Sequence, residues 1–510
     1  MKKLILYKIF PLFFVMSVAC DSGFDEMNTN QTEATNVDPA FQLNNAIINM
    51  SYPGSILVYE MGIVQQIVSP NSGVLVGANF NQDNRESTED MWVNYYRNVI
   101  RSTRDIISQV ENNPERSNLL QMTRILQAHA FMMLTDTYGD IPYFEGGKAF
   151  TDQNFFPAYD AQEDIYADII SELSQATDAL NASADTESAD VMFGGDIDLW
   201  KKYGHSLLLR AGMRLSKVAP NTAQQVVQQA YQGGVMVSND DNAMIRHDAN
   251  YVNGPGLTLN ATEANNFYLA APFVDHLKNT NDPRLRSIAV TYVGAASGPE
   301  QKPGPDGNGS SDPAIQVGMP MGNNDETARQ AAAALGLVSF YEFAQADRSR
   351  IAKQTAPMFL VTAAQTQLLL AEAASRGWIN ASAEELYENG VRLHMEQMAM
   401  YDPLSSVPEA EITAYLNANP YAEADALEQI NTQYWIASFF NGPEAFANFR
   451  RSGFPALAPN PFPNQDISGE FIRRLTFPAT EIAVNTNNVS AAISRMGPDN
   501  LDTRVWWDTE

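Results

Sequence analysis

The sequence predicts a mainly α protein, in which tetratricopeptide-like helix pairs form a scaffold that supports a long-looped, irregular half. Three observations predict it. Apolar residues recur at helical spacing in segment after segment. Glycine and proline stand at the ends of those segments. Long stretches rich in Asn, Gly and Asp separate them, as ordered loops on a helical base would.

Taken in order, residues 86–111 place Met91, Tyr95 and Val99 on one stripe, continued by Ile106 and Val110. Leu119 to Tyr138 is apolar nearly all round (Ile125, Leu126, Ala130, Met133, Leu134), the mark of a buried helix. Ile165, Ile169, Leu173, Ala176 and Leu180 repeat through 161–181. Further helices are expected at 197–218, 221–232, 357–376, 383–400 and 424–441, with Gly139, Pro220, Gly233-Gly234, Gly377 and Gly442-Pro443 as stops. Helix 86–111 with 115–138, and 357–376 with 383–400, read as helix–turn–helix pairs. Ala128, Ala130, Ala371, Ala373 and Ala374 permit their close approach. The stretches 69–85, 139–160, 182–196, 233–266, 292–326 and 442–480 read as irregular.

The chain of 510 residues carries 32 Lys+Arg against 60 Asp+Glu, a formal charge of −28, with 45% hydrophobic residues. That is a folded, acidic protein, and it excludes nucleic acid as a partner, because phosphate neutralisation needs clustered cations. One cysteine excludes an internal disulfide and a Cys-based zinc site. That cysteine is Cys20. Lys2 and Lys3 precede an apolar run, Ile9 to Val18, interrupted by Pro11 and, near its end, Ser17, and too short to span a bilayer. Ser17-Val18-Ala19 suits ordinary signal cleavage. Val18-Ala19-Cys20 resembles a lipobox, with Ser17 where leucine is usual, and the position of the sole cysteine favours lipidation of Cys20. The expected layout is a signal peptide at 1–19, a lipidated polar tether at 20–38 and one helical body at 39–510, anchored to a membrane through its N-terminal lipid.

No nucleophile elbow, H-E-x-x-H or P-loop occurs. The histidines His129, His205, His247, His276 and His394 are scattered without metal-ligand spacing, and His129 and His205 read as buried, hydrogen-bonded imidazoles. Asp306, Asn308, Ser310 and Asp312 alternate as in a calcium loop, but Ser311 and Val317 stand where that loop needs Gly and Glu. No catalytic residue, metal or cofactor is therefore expected. An extracellular glycosidase using two of the many carboxylates, and a lipoprotein that only holds another protein, are the alternatives.

Rings set in polar loops are the better lead. A sugar offers an apolar C–H face to an aromatic ring and hydroxyls to amides, carboxylates and guanidinium groups. The first candidate ligand site is the 79–92 segment, with Asn79, Phe80, Asn81, Asn84, Arg85 and Trp92. The second is the 250–267 segment, with Asn250, Tyr251, Asn253 and Phe267.

Several strings, in order, resemble the SusD/RagB-like outer-membrane lipoproteins of the Bacteroidota. They are Cys20 with Phe24-Asp25-Glu26-Met27-Asn28, and Arg124 to His129 followed by Asp136-Thr137-Tyr138-Gly139-Asp140-Ile141-Pro142-Tyr143. Trp200 to Ser216 follows, with His205 where the family usually has Asn. Then come Leu369 to Ala374 before Arg376-Gly377, Tyr387 to Val391, Phe449 to Pro455, Phe477 to Glu481 with Asn485, and Val505-Trp506-Trp507-Asp508. The resemblance implies four tetratricopeptide-like helix pairs and a non-catalytic surface protein. Such a protein captures a glycan, or in some branches a peptide, and passes it to a SusC-like TonB-dependent transporter. It places the ligand residues in variable loops, and it makes Arg210, Arg450 and Arg451 ties between helices and loops.

Overall fold

In the computed structural model of the chain, residues 37–149 and 151–510 are described. Helices α1 (Pro39–Asn49), α2 (Arg85–Asn94), α3 (Arg101–Val110), α4 (Ser117–Tyr138), α5 (Gln162–Ala179), α6 (Ile197–Arg214) and α7 (Pro220–Gly233) make the first half. From α3 to α7 each helix packs on the next, as antiparallel helices with short connections do. The second half holds α8 (Ala271–Asn279), α9 (Asp325–Ala334), α10 (Ala363–Ser375), α11 (Ala383–Tyr401), α12 (Glu409–Ala418), α13 (Ala426–Ala437), α14 (Gly442–Ser452) and α15 (Thr486–Met496), with shorter turns between. Helix α10 pairs with α11, lies against α13 and joins the first stack through α6. These are the expected helix pairs. Glycine makes two of the close approaches possible. A Cβ on Gly204 would meet Thr177 Oγ1 at 2.0 Å, and one on Gly390 would meet the Leu368 side chain at 2.7 Å.

Helix α4 is buried almost throughout, as its all-round apolar sequence requires. Its polar residues are tied inside. Asp136 holds Arg214 Nε at 3.1 Å and Trp507 Nε1 at 2.9 Å, and Arg214 Nη2 reaches Glu444 at 2.7 Å. Arg450 donates to the carbonyls of Asp136 (2.7 Å) and Arg473 (2.8 Å). Arg210 donates to the Gln365 side chain at 3.0 Å. Arg451 forks onto Glu372 at 2.8 and 2.6 Å. Of the arginines named in the sequence, Arg450 thus ties a helix to the loop at Arg473, and Arg210 and Arg451 tie helix to helix. His129 is buried and its Nδ1 lies 2.7 Å from Tyr203 Oη, whereas buried Nδ1 of His205 has no protein partner.

Short antiparallel ladders stitch the looped half. They pair β1 (Ile67–Val68) with β3 (Tyr268–Leu269), and β2 (Ala243–Ile245) with β7 (Met358–Val361). The third, with β4 (Ala289–Tyr292) at its centre, adds β5 (Gly309–Ser310) and β6 (Gln345–Ala346).

Three readings of the sequence are corrected. Gly442-Pro443 opens a helix instead of closing one: Pro443 occupies the first turn, where its missing N–H costs nothing, so part of 442–480 is helical. Residues 358–361 are strand, and the helix begins only after Thr362, whose hydroxyl accepts from Gln365 N. The 86–111 helix is continuous but passes through a π-helical turn, Tyr95–Ile100.

Ala40–Glu510 form one compact unit. Cys20 and the signal and lipobox residues lie outside the described residues. Among the described residues, no helix is long and apolar enough to cross a membrane.

Candidate functional site

The first candidate segment is an anchored loop. Asn79 donates to the carbonyls of Ser69 (2.6 Å) and Asn323 (2.9 Å) and accepts from Gly322 N (2.8 Å). Asn81 donates to Gln465 at 2.8 Å, and Asn84 to the carbonyls of Val74 (3.1 Å) and Val76 (2.9 Å). Arg85 binds Asp83 (3.1 Å), Asp499 (2.8 Å) and the Phe477 carbonyl (2.9 Å). Asn79 and Asn84 are thus engaged by backbone groups of the loop, and Asn81 and Arg85 chiefly by neighbouring side chains. Phe80 is fully buried, edge-on to Phe462 with centroids 4.8 Å apart. Trp92 is 4% exposed, packed among Tyr96, Tyr138, Tyr159 and Phe477. The expectation of open ring faces at Phe80 and Trp92 is therefore corrected: Phe80 fills the inside of the loop, and Trp92 is part of the helical core.

The second segment divides. Phe267 is core, and Asn253 is buried, its Oδ1 accepting from Gly256 N at 2.8 Å and its Nδ2 donating to the Ala356 carbonyl at 3.2 Å. Both are corrected from ligand contacts to anchors. Asn250 is exposed, and Tyr251 keeps 56% of its surface open. A tight turn presents that ring: Asp248 Oδ1 accepts from Asn250 N (2.7 Å) and Tyr251 N (2.9 Å). These bonds hold the Asp248 carboxyl below its usual range.

Tyr251 stands at the edge of a shallow, open cavity of about 380 Å³. Asn49 at the end of α1, Ser51, Asp90 and Asn94 on α2, and His247 also line it. The cavity thus brings parts of both candidate segments together, but through Asp90, with Asn94 just beyond the first segment's end, in place of Phe80 and Trp92. Asn94 is fixed by donating to the Asn49 carbonyl (3.1 Å) and accepting from Asn98 (2.7 Å). Burial pushes the Asp90 carboxyl up, opposed by a hydrogen bond with Ser55. His247 is held below its ordinary pKa by burial, against the Tyr251 carbonyl and Asp248, which favour its charged form. A ring face beside a carboxylate, amides and a hydroxyl is the set a saccharide requires.

Sequence reasoning missed Asp90, Asn94, Ser51 and His247. The spacing of Asp90 and Asn94, four apart on one helical face, was the available signal. His247 looked isolated because Ser51 lies far along the chain and its nearer partner, the Tyr251 carbonyl, is a backbone group that residue spacing does not reveal. A larger cavity of about 640 Å³ lies between α8 and α12, lined by Leu285, Arg286, Glu411, Ala414 and Tyr415 among others. Arg286 and Glu411 pair across 3.2 Å, and Tyr415 is 4% exposed, so this cavity offers no open ring. The calcium-like loop uses its own side chains: Asn308 accepts from Lys302 N and donates to the Val293 carbonyl, and Asp312 caps Ala314 N.

Comparison with known proteins adds the following. A SusD-like family model described as "Starch-binding associating with outer membrane" matches residues 29–478. A solved chitin-binding protein is 32% identical, with a TM-score of 0.81 over 93% of this chain and 100% of that one. A structure titled "Bacteroidetes AC2a SusD-like" is 26% identical, with a TM-score of 0.79 over 93% and 100%. A chitin-binding SusD homolog from Flavobacterium johnsoniae, 24% identical, shares the fold with a TM-score of 0.76 over 92% and 99%. A search of curated proteins finds no match.

Proposed function

The chain belongs to the SusD-like family, and from that premise we propose that it is a cell-surface lipoprotein, acylated at Cys20, that binds a glycan. It delivers that glycan to a SusC-like TonB-dependent transporter of the outer membrane for uptake. The family's association with the outer membrane supports the location. The likeness to a chitin-binding protein over nearly the whole chain supports a chitin-type oligosaccharide as ligand. The observation that carries the reading is the open Tyr251 ring at a shallow pocket lined by Asp90, Asn94 and His247. A shallow open site leaves much of a ligand in water, which suits weak capture and release to a partner. Calorimetric titration with chito-oligosaccharides, beside cello- and malto-oligosaccharides of equal length, tests it. Heat of binding for the first class supports the reading, and silence across all three contradicts it. Co-purification of a transporter from detergent-solubilised membranes tests delivery.

A further inference from the structure

Among the described residues, the exposed phenylalanines are Phe41, Phe144, Phe155 and Phe156, at 59%, 44%, 58% and 57%. They gather at one edge. Phe144, Phe155 and Phe156 share the loop that follows α4. Glu145 Oε2 accepts from Asn154 Nδ2 and Ala158 N, both at 2.8 Å, and so folds the 155–156 pair back beside residue 144. From the other side Asn488 Nδ2 donates to the Phe156 carbonyl (3.0 Å) and Asn485 Nδ2 to that of Pro157 (2.9 Å). The rings are therefore presented by a tied loop, next to the exposed Val484 (65%). Phe41 lies on α1, whose next residue, Gln42, binds Asp105 at 3.1 Å and shares a cavity with Gly147 and Thr151.

The edge also holds cations that are scarce in a chain of charge −28. Arg97 and Arg101 are exposed, four residues apart, and Lys148 is half-buried. Arg104 secures the loop by donating to the carbonyls of Gly146 (3.2 Å) and Tyr143 (2.7 Å). The acids at this edge include Asp105, engaged by Gln42 and Gln109, Glu145, engaged by the loop, Asp160, which accepts from Tyr143 N and Phe144 N, and the exposed Asp152.

We propose that this edge is a membrane-docking face, which lays Phe41, Phe144, Phe155 and Phe156 into the lipid surface and sets Arg97, Arg101 and Lys148 against headgroup phosphates. The occupant follows from the chain itself. The proposed anchor at Cys20 leads into α1, which carries Phe41. The chain from Cys20 to Val37 reaches at most roughly 60 Å. The bilayer that holds the lipid is then present at high effective concentration, and modest apolar insertion suffices to orient the body. Apolar rings flanked by Arg and Lys fit the boundary between acyl chains and phosphates. This inference rests on the lipid anchor of the proposed function.

The test places an environment-sensitive fluorophore on Phe155→Cys in the full lipidated chain, where an acylated Cys20 takes no label. Leu404→Cys, at a position 80% exposed and away from this edge, is the control. In vesicles containing phosphatidylglycerol and brominated acyl chains, the probe at 155 is expected to be quenched several-fold more than the probe at 404. Equal quenching at both sites overturns the proposal, as does protection at 155 that appears only when the transporter is present, which would assign the face to a protein partner. In the lipidated chain labelled at 155, Phe144→Ser/Phe156→Ser is expected to leave flotation through the lipid intact and to lower quenching to the level at 404. Failure of that arm counts against the face alone, whereas failure of the wild-type chain to float in cells' membrane fractions counts against the anchor.

Discussion

His247 Nδ1 lies 2.8 Å from the carbonyl oxygen of Tyr251. A carbonyl only accepts, so Nδ1 carries the proton and Nε2, 3.1 Å from Ser51 Oγ, accepts from that hydroxyl. The imidazole thus links the turn bearing the open ring to the chain after α1, and it does so as the neutral tautomer that burial favours.

Replacing His247 by Ala is expected to weaken oligosaccharide binding by about 3- to 10-fold, or ~1 kcal/mol, by freeing the turn that positions Tyr251. Titration calorimetry of the variant checks it. A fully retained affinity would mean that the turn holds without the imidazole.

Phe80→Ala and Trp92→Ala are expected to lower stability by about 3–5 kcal/mol each, because each leaves a cavity in a packed interior. Urea unfolding measures the loss. The affinity of the folded fraction for a glycan is expected to stay within about twofold, and a selective loss of binding with unchanged stability would return these rings to the site.

Arg451 and Glu372 form a buried fork that matters at low pH. Burial opposes ionisation of Glu372, but Arg451 and Arg376 outweigh it and hold the carboxyl at about 2. A pKa below that of the unfolded chain gives stability that is full above the ordinary glutamate value. It is lost as pH falls through about 2. Arg451→Met is expected to cost about 3 kcal/mol at neutral pH by leaving buried Glu372 with Arg376 as its remaining cation, and to make the acid limb of a stability–pH curve shallower.

Glu60 works in the opposite sense. Burial lifts its carboxyl to about 7, with Arg450 pulling it down and Asp90 up. The folded state then holds a proton that the unfolded state releases, so this group's contribution is full below the ordinary glutamate pKa. It fades as pH rises through about 7. Glu60→Gln is expected to remove that decline and to raise the thermal midpoint at pH 8 relative to wild type. An unchanged or lower midpoint at pH 8 would contradict it.

The helix pairs were legible in the sequence because packing writes its period into it. Leu119 to Tyr138 and the Ile165–Leu180 repeat announce buried helices without help from neighbours. Helix α14 was not legible, because Gly442-Pro443 marks a start as well as a stop, and only the Asn441 cap tells which. Within the site, composition found the right loops and the wrong atoms. Asn and aromatic residues in a loop serve a ligand or the loop's own backbone, and the choice for Phe80 depends on Phe462, nearly four hundred residues away. Tyr251 emerged from the same pattern, but its exposure is set by Asp248 and His247, whose roles exist only in the folded turn.

The most direct test of the account is calorimetric titration of chito-oligosaccharide into wild type and Tyr251→Ala. Wild type is expected to bind, and the variant to lose at least about tenfold in affinity, ~1.4 kcal/mol, with its thermal midpoint unchanged because the ring is 56% exposed. Equal affinity in the two proteins, or no binding by either, would contradict the assignment of this pocket as the glycan site.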